Sequence, residues 1–153
     1  MSRRPRRCRA LCEGCDAVFH LAALASVPRS IAAPAESDRV NAGGTLVVLC
    51  AAADAGVRRL VLASSSSVYG NVGETPARED ASPRPLSPYG VSKLAAEHAC
   101  RLFGAAGRIE TTALRFFNVY GPRQDPLSPY AAVIPRFVAA SRAGRAPVIY
   151  GDG

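Results

Sequence analysis

The sequence predicts an α/β fold in which helices pack against a parallel β-sheet. Three short apolar segments, at residues 16–22, 58–65 and 111–117, have the composition of strands buried on both faces. Helical patterns separate these segments, and strands that alternate with helices form parallel sheets covered on both sides. The chain has 153 residues, 48% of them hydrophobic and 20% charged, which is enough for one domain with a core.

Local signals support each predicted helix. The first helical pattern ends at Gly56, and glycine is the typical residue just past a helix C-terminus. The second begins after Ser87, a good N-cap, with Pro88 at its first position. The predicted helices span residues 37–56, 88–103 and 131–143, and a fourth strand is expected to begin at 147–150.

Positive charge is concentrated at the start of the chain. The net charge is +7, and five arginines lie in the first nine residues, so the remainder carries +2. We therefore divide the chain into a basic tail, residues 1–9, and a domain, residues 10–153. A basic arm can bind nucleic acid or an acidic membrane surface, but no aromatic side chain is interleaved here to stack on bases. We expect a solvated tail, with no nucleic-acid or membrane partner. No apolar stretch is long enough to span a bilayer, and the expected location is cytoplasmic.

The cysteines predict neither a metal site nor an oxidising compartment. A C-x3-C-x2-C cluster opens the chain, but a tetrahedral zinc site takes four ligands and only His20 lies nearby as a fourth. The two later cysteines fall in alanine-rich helical patterns, where cysteine is typically a small apolar core residue. The five are Cys8, Cys12, Cys15, Cys50 and Cys100.

The strongest chemical signal is the pair Tyr89 and Lys93. Residues four apart share one face of a helix, so the phenol and the ammonium can point into the same cleft. A cation beside a phenol stabilises the phenolate, which suits the tyrosine to acid–base chemistry. Lys93 is the single lysine in a chain with 18 arginines, which suggests a requirement for a compact ammonium. A chance surface lysine is the alternative.

A run of serines, residues 64–67, ends the second predicted strand. Ligands of parallel sheets bind at the carboxyl ends of the strands, so a hydroxyl here can reach a substrate oxygen beside Tyr89. A simple polar turn is the alternative, because serine is common in turns.

Four segments in a fixed order carry a resemblance to a known family. They are FHLAA at 19–23, SSSSVYG at 64–70, YGVSK at 89–93 and RFFNVYGPRQ at 115–124. Together they resemble the extended short-chain dehydrogenase/reductase family, in particular its NAD-dependent nucleotide-sugar epimerases, from about residue 10 to residue 153. Residues 130–135 also resemble the stretch that contacts uridine in these enzymes.

The resemblance implies a role for each matching residue. Tyr89 is implied as the catalytic acid and base, Lys93 as the group that stabilises its phenolate and holds the nicotinamide ribose, and Ser65 as the active-site hydroxyl. NAD is the implied cofactor, contacted also by Leu21, Ala22, Ala23, Leu24, Asn41, Ser64 and Phe117. The implied substrate is a UDP-sugar or another nucleotide-sugar, contacted by Ser65, Asn118 and Val133. A homodimer is the implied assembly.

Two departures from the family pattern refine these expectations. Dehydratases of the family need an Asp-Glu pair after the active-site hydroxyl, and decarboxylases a Glu at the second position; Ser66 and Ser67 stand here, which favours a 4-epimerase. A 4-reductase, a dehydratase and a non-catalytic piece remain alternatives. The sequence also has no G-x-x-G-x-x-G turn for the cofactor pyrophosphate. We therefore expect an incomplete doubly wound sheet that lacks its first strands and most of the substrate domain, and weak or no NAD binding by the chain alone.

Overall fold

The computed structural model describes residues 3–71, 76–126, 131, 133–149 and 151, with side chains from residue 7 onward. The chain divides into two compact units, Met1–Phe116 and Phe117–Gly153.

The first unit contains a three-stranded parallel sheet. Its strands are β1 (Ala17–His20), β2 (Arg59–Ser65) and β3 (Glu110–Phe116), in the order β1-β2-β3. β2 is central, and its register pairs His20 with Leu62 on one side and Ser65 with Phe116 on the other. β1 and β2 lie within their predicted apolar segments, and β3 begins at Glu110, one residue before its predicted segment. The predicted α/β class with a parallel sheet is confirmed.

Within the described residues, five α-helices accompany the strands: α1 (Arg3–Cys12), α2 (Val27–Ala32), α3 (Pro34–Asp54), α4 (Pro88–Ala105) and α5 (Val133–Arg142). α1 includes residues 3–9, so most of the segment treated as a basic tail is helical, and residue 10 lies inside the same helix. Helix α2 was not among the predicted elements; its N-cap Ser26 accepts a hydrogen bond from the Arg29 backbone N–H. At the start of α4, Ser87 caps the helix as predicted, accepting from the Gly90 N–H at 3.1 Å.

The core lies between the sheet and the helices. Leu60 and Leu62 of β2 are almost completely buried, together with Leu49 of α3 and Cys100 of α4. Burial raises the pKa of the Cys100 thiol to about 11, with a smaller contribution from Glu97, so this cysteine is an uncharged core residue, as predicted.

In the described part of the first unit, helices cover one face of the sheet and leave the other uncovered. Leu60 and Leu62 face α3 and α4, whereas Phe19 and Phe116, which belong to the opposite face, are 70% and 43% exposed. The strand order explains this one-sided cover. Parallel crossovers are right-handed, so successive crossovers that advance in one direction place their helices on the same side of the sheet. A doubly wound sheet has helices on both faces, whereas the described residues supply helices on one face only.

The second unit contains α5. The strand expected to begin at 147–150 is not found: residues 147–149 have no strand structure, and Tyr150 lies outside the described residues. Val148 and Ile149 are more than 60% exposed, and a strand needs a hydrogen-bonding neighbour that the described part of this unit does not provide.

No helix within the described ranges is long and apolar enough to cross a membrane. No three His, Cys, Asp or Glu side chains in that part of the chain are grouped so that they could hold a metal ion.

Candidate active site

Tyr89 and Lys93 lie on one face of α4, as their spacing predicts. The Lys93 Nζ atom is 5.9 Å from the centre of the Tyr89 ring, and Tyr89 is half-buried. The backbone N–H of Tyr89 donates to the Ser30 hydroxyl at 3.0 Å, which joins the first turn of α4 to the buried end of α2. The sequence therefore located the cation and the phenol correctly with respect to each other.

Lys93 is a buried cation, only 5% exposed. Its ammonium donates to the Ala63 carbonyl oxygen of β2 at 2.8 Å, which leaves two further N–H donors on the same nitrogen. Burial lowers the pKa of Lys93 from its ordinary value. A surface lysine would show none of these features, so the alternative of a chance surface residue is wrong.

Ser65 ends β2 and begins the turn that follows. Its Oγ accepts a hydrogen bond from the Ser67 backbone N–H at 3.1 Å, and this bond caps a short 3-10 helix, Ser66–Val68. Because the bond uses an oxygen lone pair, the Ser65 hydroxyl can still donate its proton to another oxygen. The serine run is thus a polar turn in its geometry, with one hydroxyl oriented by that turn.

Gly90 allows α4 to approach this turn closely. A Cβ atom at position 90 would lie 2.6 Å from the Ser67 carbonyl oxygen and 3.0 Å from the Pro85 Cβ. A larger residue therefore cannot stand next to Tyr89 without separating the helix from the Ser65 turn. The sequence offered no signal for this role beyond a glycine inside a helical pattern.

Asn41 organises the segment after β1. Its Oδ1 accepts from the Leu24 N–H at 2.8 Å. The two N–H donors of its Nδ2 are shared among three acceptors, the Leu24 carbonyl oxygen and the hydroxyls of Ser37 and Ser92. Ser92 in turn donates to the Tyr89 carbonyl oxygen at 2.8 Å. The Asn41 side chain, only 2% exposed, thereby joins the Leu24 loop to the helix that carries Tyr89.

The other predicted cofactor contacts of the first unit lie around the ends of β1 and β2. Leu21 is 66% exposed and Ala22 is exposed, whereas Ala23 and Leu24 are half-buried. The Ser64 hydroxyl faces α4, where it donates to the Glu97 carboxylate at 2.5 Å.

His20 is the last residue of β1 and is buried near Lys93. Thr45 donates its only hydroxyl proton to the Asn41 carbonyl oxygen at 2.6 Å, so the His20 Nε2, 3.0 Å from the Thr45 Oγ1, must be the donor of their shared hydrogen bond. Burial first, and the nearby Lys93 charge second, lower the pKa of His20. His20 is therefore a neutral imidazole at pH 7, with its tautomer set by Thr45.

Glu97 is the centre of a cluster of polar contacts that was not predicted from the sequence. The Glu97 carboxylate binds Arg115 of β3 through Nε at 3.0 Å and Nη2 at 2.9 Å. The Arg115 guanidinium lies 4.6 Å from the centre of the Tyr69 ring and also donates to the Glu79 carbonyl oxygen. A signal was present, because Glu97 follows Lys93 by four residues and so shares its helix face.

Three predicted residues belong to the second unit. Phe117 directly follows β3 in sequence and is 60% exposed, Asn118 is exposed, and Val133 begins α5 with 53% exposure. Tyr130 and Ala132, in the stretch that resembles a uridine contact, lie outside the described residues.

The first unit therefore brings a phenol, a buried ammonium and an oriented hydroxyl to the carboxyl ends of parallel strands. This arrangement suits proton transfer to and from a hydroxyl or carbonyl oxygen. A Rossmann-like sheet with Ser65 at the end of a strand, packed against a helix that carries Tyr89 and Lys93, defines a protein of the short-chain dehydrogenase/reductase type.

Comparison with known families identifies the group within this class. The family model described as the NAD dependent epimerase/dehydratase family matches residues 2–153, and the chain belongs to that family. The family is NAD dependent, as the sequence resemblance implied.

Individual relatives are similar over almost all of this chain. A UDP-glucose 4-epimerase from Mycolicibacterium smegmatis is 41% identical over 139 residues, which are 90% of this chain and 44% of that protein. The solved UDP-N-acetylglucosamine 4-epimerase of Methanobrevibacter ruminantium M1, in complex with UDP-N-acetylmuramic acid, is 42% identical with a TM-score of 0.89, covering 95% of this chain and 47% of its own. The UDP-glucose 4-epimerase of Thermotoga maritima, solved with UDP-glucose, is 36% identical with a TM-score of 0.88, covering 97% and 49%.

Enzymes with another activity match as well. A dTDP-glucose 4,6-dehydratase from Streptomyces griseus is 36% identical over 140 residues, which are 92% of this chain and 42% of that protein. The chain spans about half the length of the relatives it matches.

Proposed function

We propose that this chain carries the catalytic residues of a nucleotide-sugar 4-epimerase that acts on a UDP-sugar with NAD as its cofactor. The observation that carries the proposal is the single helix face on which Tyr89 and the buried Lys93 lie, next to the Ser65 hydroxyl at the end of β2. The named relatives with UDP-sugar 4-epimerase activity support the choice of substrate class.

Each side chain has a distinct task at the sugar C4 oxygen. Tyr89, as phenolate, takes the proton of the C4 hydroxyl and later returns it. Lys93 stabilises that phenolate with its buried charge, and Ser65 donates a hydrogen bond to the same oxygen when it is a carbonyl. Bound NAD supplies the hydride acceptor and donor at C4. The sugar then turns over in the site. The hydride returns to the opposite face of C4 and the proton returns to the C4 oxygen, which completes the epimerisation.

The residues of this chain suit the nicotinamide half of NAD better than its pyrophosphate. Two N–H donors of Lys93 remain after its bond to Ala63, and they can hold ribose hydroxyls of the nicotinamide half. For the pyrophosphate, the sequence contains no G-x-x-G-x-x-G turn. We therefore expect the isolated chain to bind NAD weakly or not at all; micromolar binding in a calorimetric titration would overturn this expectation.

The two residues that follow Ser65 distinguish between the candidate activities. A 4,6-dehydratase needs an acid–base pair there, whereas Ser66 and Ser67 have hydroxyls that do not titrate near neutral pH. This difference favours epimerisation over dehydration. A 4-reductase uses the same three catalytic groups and is the second candidate, distinguished by its product.

A chimera tests the activity directly. In it, this chain replaces the 139 matched residues of the M. smegmatis enzyme, so the rest of a working epimerase is supplied. We expect the chimera to interconvert UDP-glucose and UDP-galactose, and Tyr89→Phe to lower kcat by at least about 100-fold because the proton acceptor is lost. Tyr120→Phe is the matched control, since Tyr120 is 62% exposed and has no assigned role.

Three results would decide against the proposal. A folded, NAD-binding chimera without turnover would refute the catalytic assignment. Net reduction of the sugar would favour the reductase, and loss of water from it would favour the dehydratase.

The proposal also includes a homodimer and a cytoplasmic location. Light scattering on the purified chain tests for the homodimer.

A further inference from the structure

The face of α4 that carries Tyr89 and Lys93 continues to Glu97. The three residues are spaced by four, and the latter two bind consecutive residues of β2. Lys93 donates to the Ala63 carbonyl oxygen at 2.8 Å, and Glu97 accepts from the Ser64 hydroxyl. Helix α4 is therefore joined to β2 at the two residues that directly precede Ser65.

Arg115 extends this connection to β3. It pairs in register with Ser64 across the two strands, and it binds both carboxylate oxygens of Glu97. Its guanidinium also lies over the Tyr69 ring, at the end of the turn that begins at Ser65. One carboxylate thus joins a helix, two strands and the Ser65 turn.

Only an ionised carboxylate can accept all of these hydrogen bonds. Burial acts to raise the pKa of Glu97, but the hydrogen bonds from Arg115 and Ser64 outweigh it, and the pKa lies below its ordinary value. The side chains of Arg115 and Glu97 are 20% and 11% exposed, so water competes little for the pair. Glu97 is therefore charged and fixed at neutral pH.

We propose that Glu97, oriented by Arg115, is a positioning residue that holds the Tyr89 and Lys93 face of α4 in register with Ser65. The inference deepens the proposed function, on which it rests. Glu97 acts through position and not through its charge on Lys93, because Arg115 and Ser64 engage its carboxylate. Loosening the Glu97 connection should release Lys93 from Ala63 and admit water to its ammonium.

The single lysine of this chain makes the test specific. Lysine labelled with ¹³C at Cε and ¹⁵N at Nζ gives one NMR signal, from Lys93, in the full chain without nucleotide. Its titration above pH 8 gives the pKa of Lys93, in a range where His20 is neutral and adds no charge. Because the measurement needs no turnover, its result is independent of whether the chimera is active.

Glu97→Gln and Arg115→Gln should each raise the pKa of Lys93 toward its ordinary 10.5, by at least about 0.5 pH unit, because hydration favours the ammonium. Loss of the carboxylate charge alone would move the pKa in the opposite direction. Glu110→Gln is the matched control: Glu110 lies on the same strand as Arg115, forms an exposed ion pair with Arg59, and should leave Lys93 unchanged.

Circular dichroism establishes that each variant is folded before titration. An unchanged or lower pKa of Lys93 in folded Glu97→Gln would overturn the proposal, even if that variant were less stable, because a merely structural role moves stability and not the lysine signal. If Glu97→Gln does not fold, the milder Ser64→Ala, which removes one hydrogen bond, decides by the same criterion.

Discussion

Gly90→Ala is the substitution with the most clearly defined consequence for the site. The new Cβ would lie 2.6 Å from the Ser67 carbonyl oxygen, against an ordinary contact distance well above 3 Å. The obstructing atom is backbone and cannot rotate away. Either the first turn of α4 or the turn after Ser65 must move by several tenths of an ångström, which separates Tyr89 from Ser65.

The magnitude follows from two opposing effects. Alanine in place of glycine favours a helix by about 1 kcal/mol. Overpacking a close contact costs about 1–3 kcal/mol, and here both the oxygen and the Pro85 Cβ at 3.0 Å are too near. The two close contacts place the cost in the upper part of that range, so we expect a net loss of about 1–2 kcal/mol in the free energy of unfolding. Gly44→Ala in α3 is the matched control, because no atom lies within 4 Å of its Cβ position, and it should gain about 0.5–1 kcal/mol.

Urea unfolding of both variants, followed by circular dichroism, measures the two effects on one scale. With a slope of about 1–3 kcal/mol per molar urea, the midpoints of the two variants should differ by about 1 M, in opposite directions from the parent chain. If Gly90→Ala were as stable as Gly44→Ala, the close approach of α4 to the Ser67 turn would not exist in solution and this reasoning would fail.

Three further predictions concern stability. Leu62→Ala should lower the free energy of unfolding by about 2–5 kcal/mol, because Leu62 is 1% exposed, whereas Leu102→Ala, at 65% exposure, should change it by less than about 1 kcal/mol; equal effects in urea unfolding would contradict the assigned core. The folded-state pKa of His20 lies below 6.5, so the unfolded chain binds the additional proton and stability should fall as pH drops from about 7 to 5. Replacing His20 with Gln should remove part of this dependence, and a pH profile identical to that of the parent chain would refute the assignment. Ser87→Ala should cost about 1 kcal/mol through loss of the helix cap, measured as a lower thermal midpoint, and an unchanged midpoint would mean that the cap contributes nothing.

Much of the secondary structure was predictable because its signals are local. The strands of this sheet are short apolar runs, and the start of α4 depends on the Ser87 and Pro88 pair, so both were found within a few residues. α2 was missed because six residues are too few for helical periodicity to be recognised. The strand expected at 147–150 failed because a strand depends on a neighbour, which local composition does not encode.

The candidate site likewise has some features that the sequence predicted and others that it did not. The spacing of Tyr89 and Lys93 places them on one helix face whatever the helix packs against, and the position of Ser65 follows from where an apolar strand ends. Asn41 was assigned to the cofactor through the family resemblance. Its side chain in the structure holds the Leu24 backbone and Ser92, and whether it also meets NAD stays a prediction.

The amino-acid sequence by itself determined the α/β class, the order of the three strands and the long helices between them, the shared face of the phenol and the ammonium, and the family, because each depends on spacing along the chain. Tertiary structure alone decided that Lys93 is buried against the Ala63 carbonyl and that Glu97 joins α4 to Ser64 and Arg115. These contacts connect residues 18 to 33 positions apart, and they form only when the strands are in register and the helix lies on one side of the sheet.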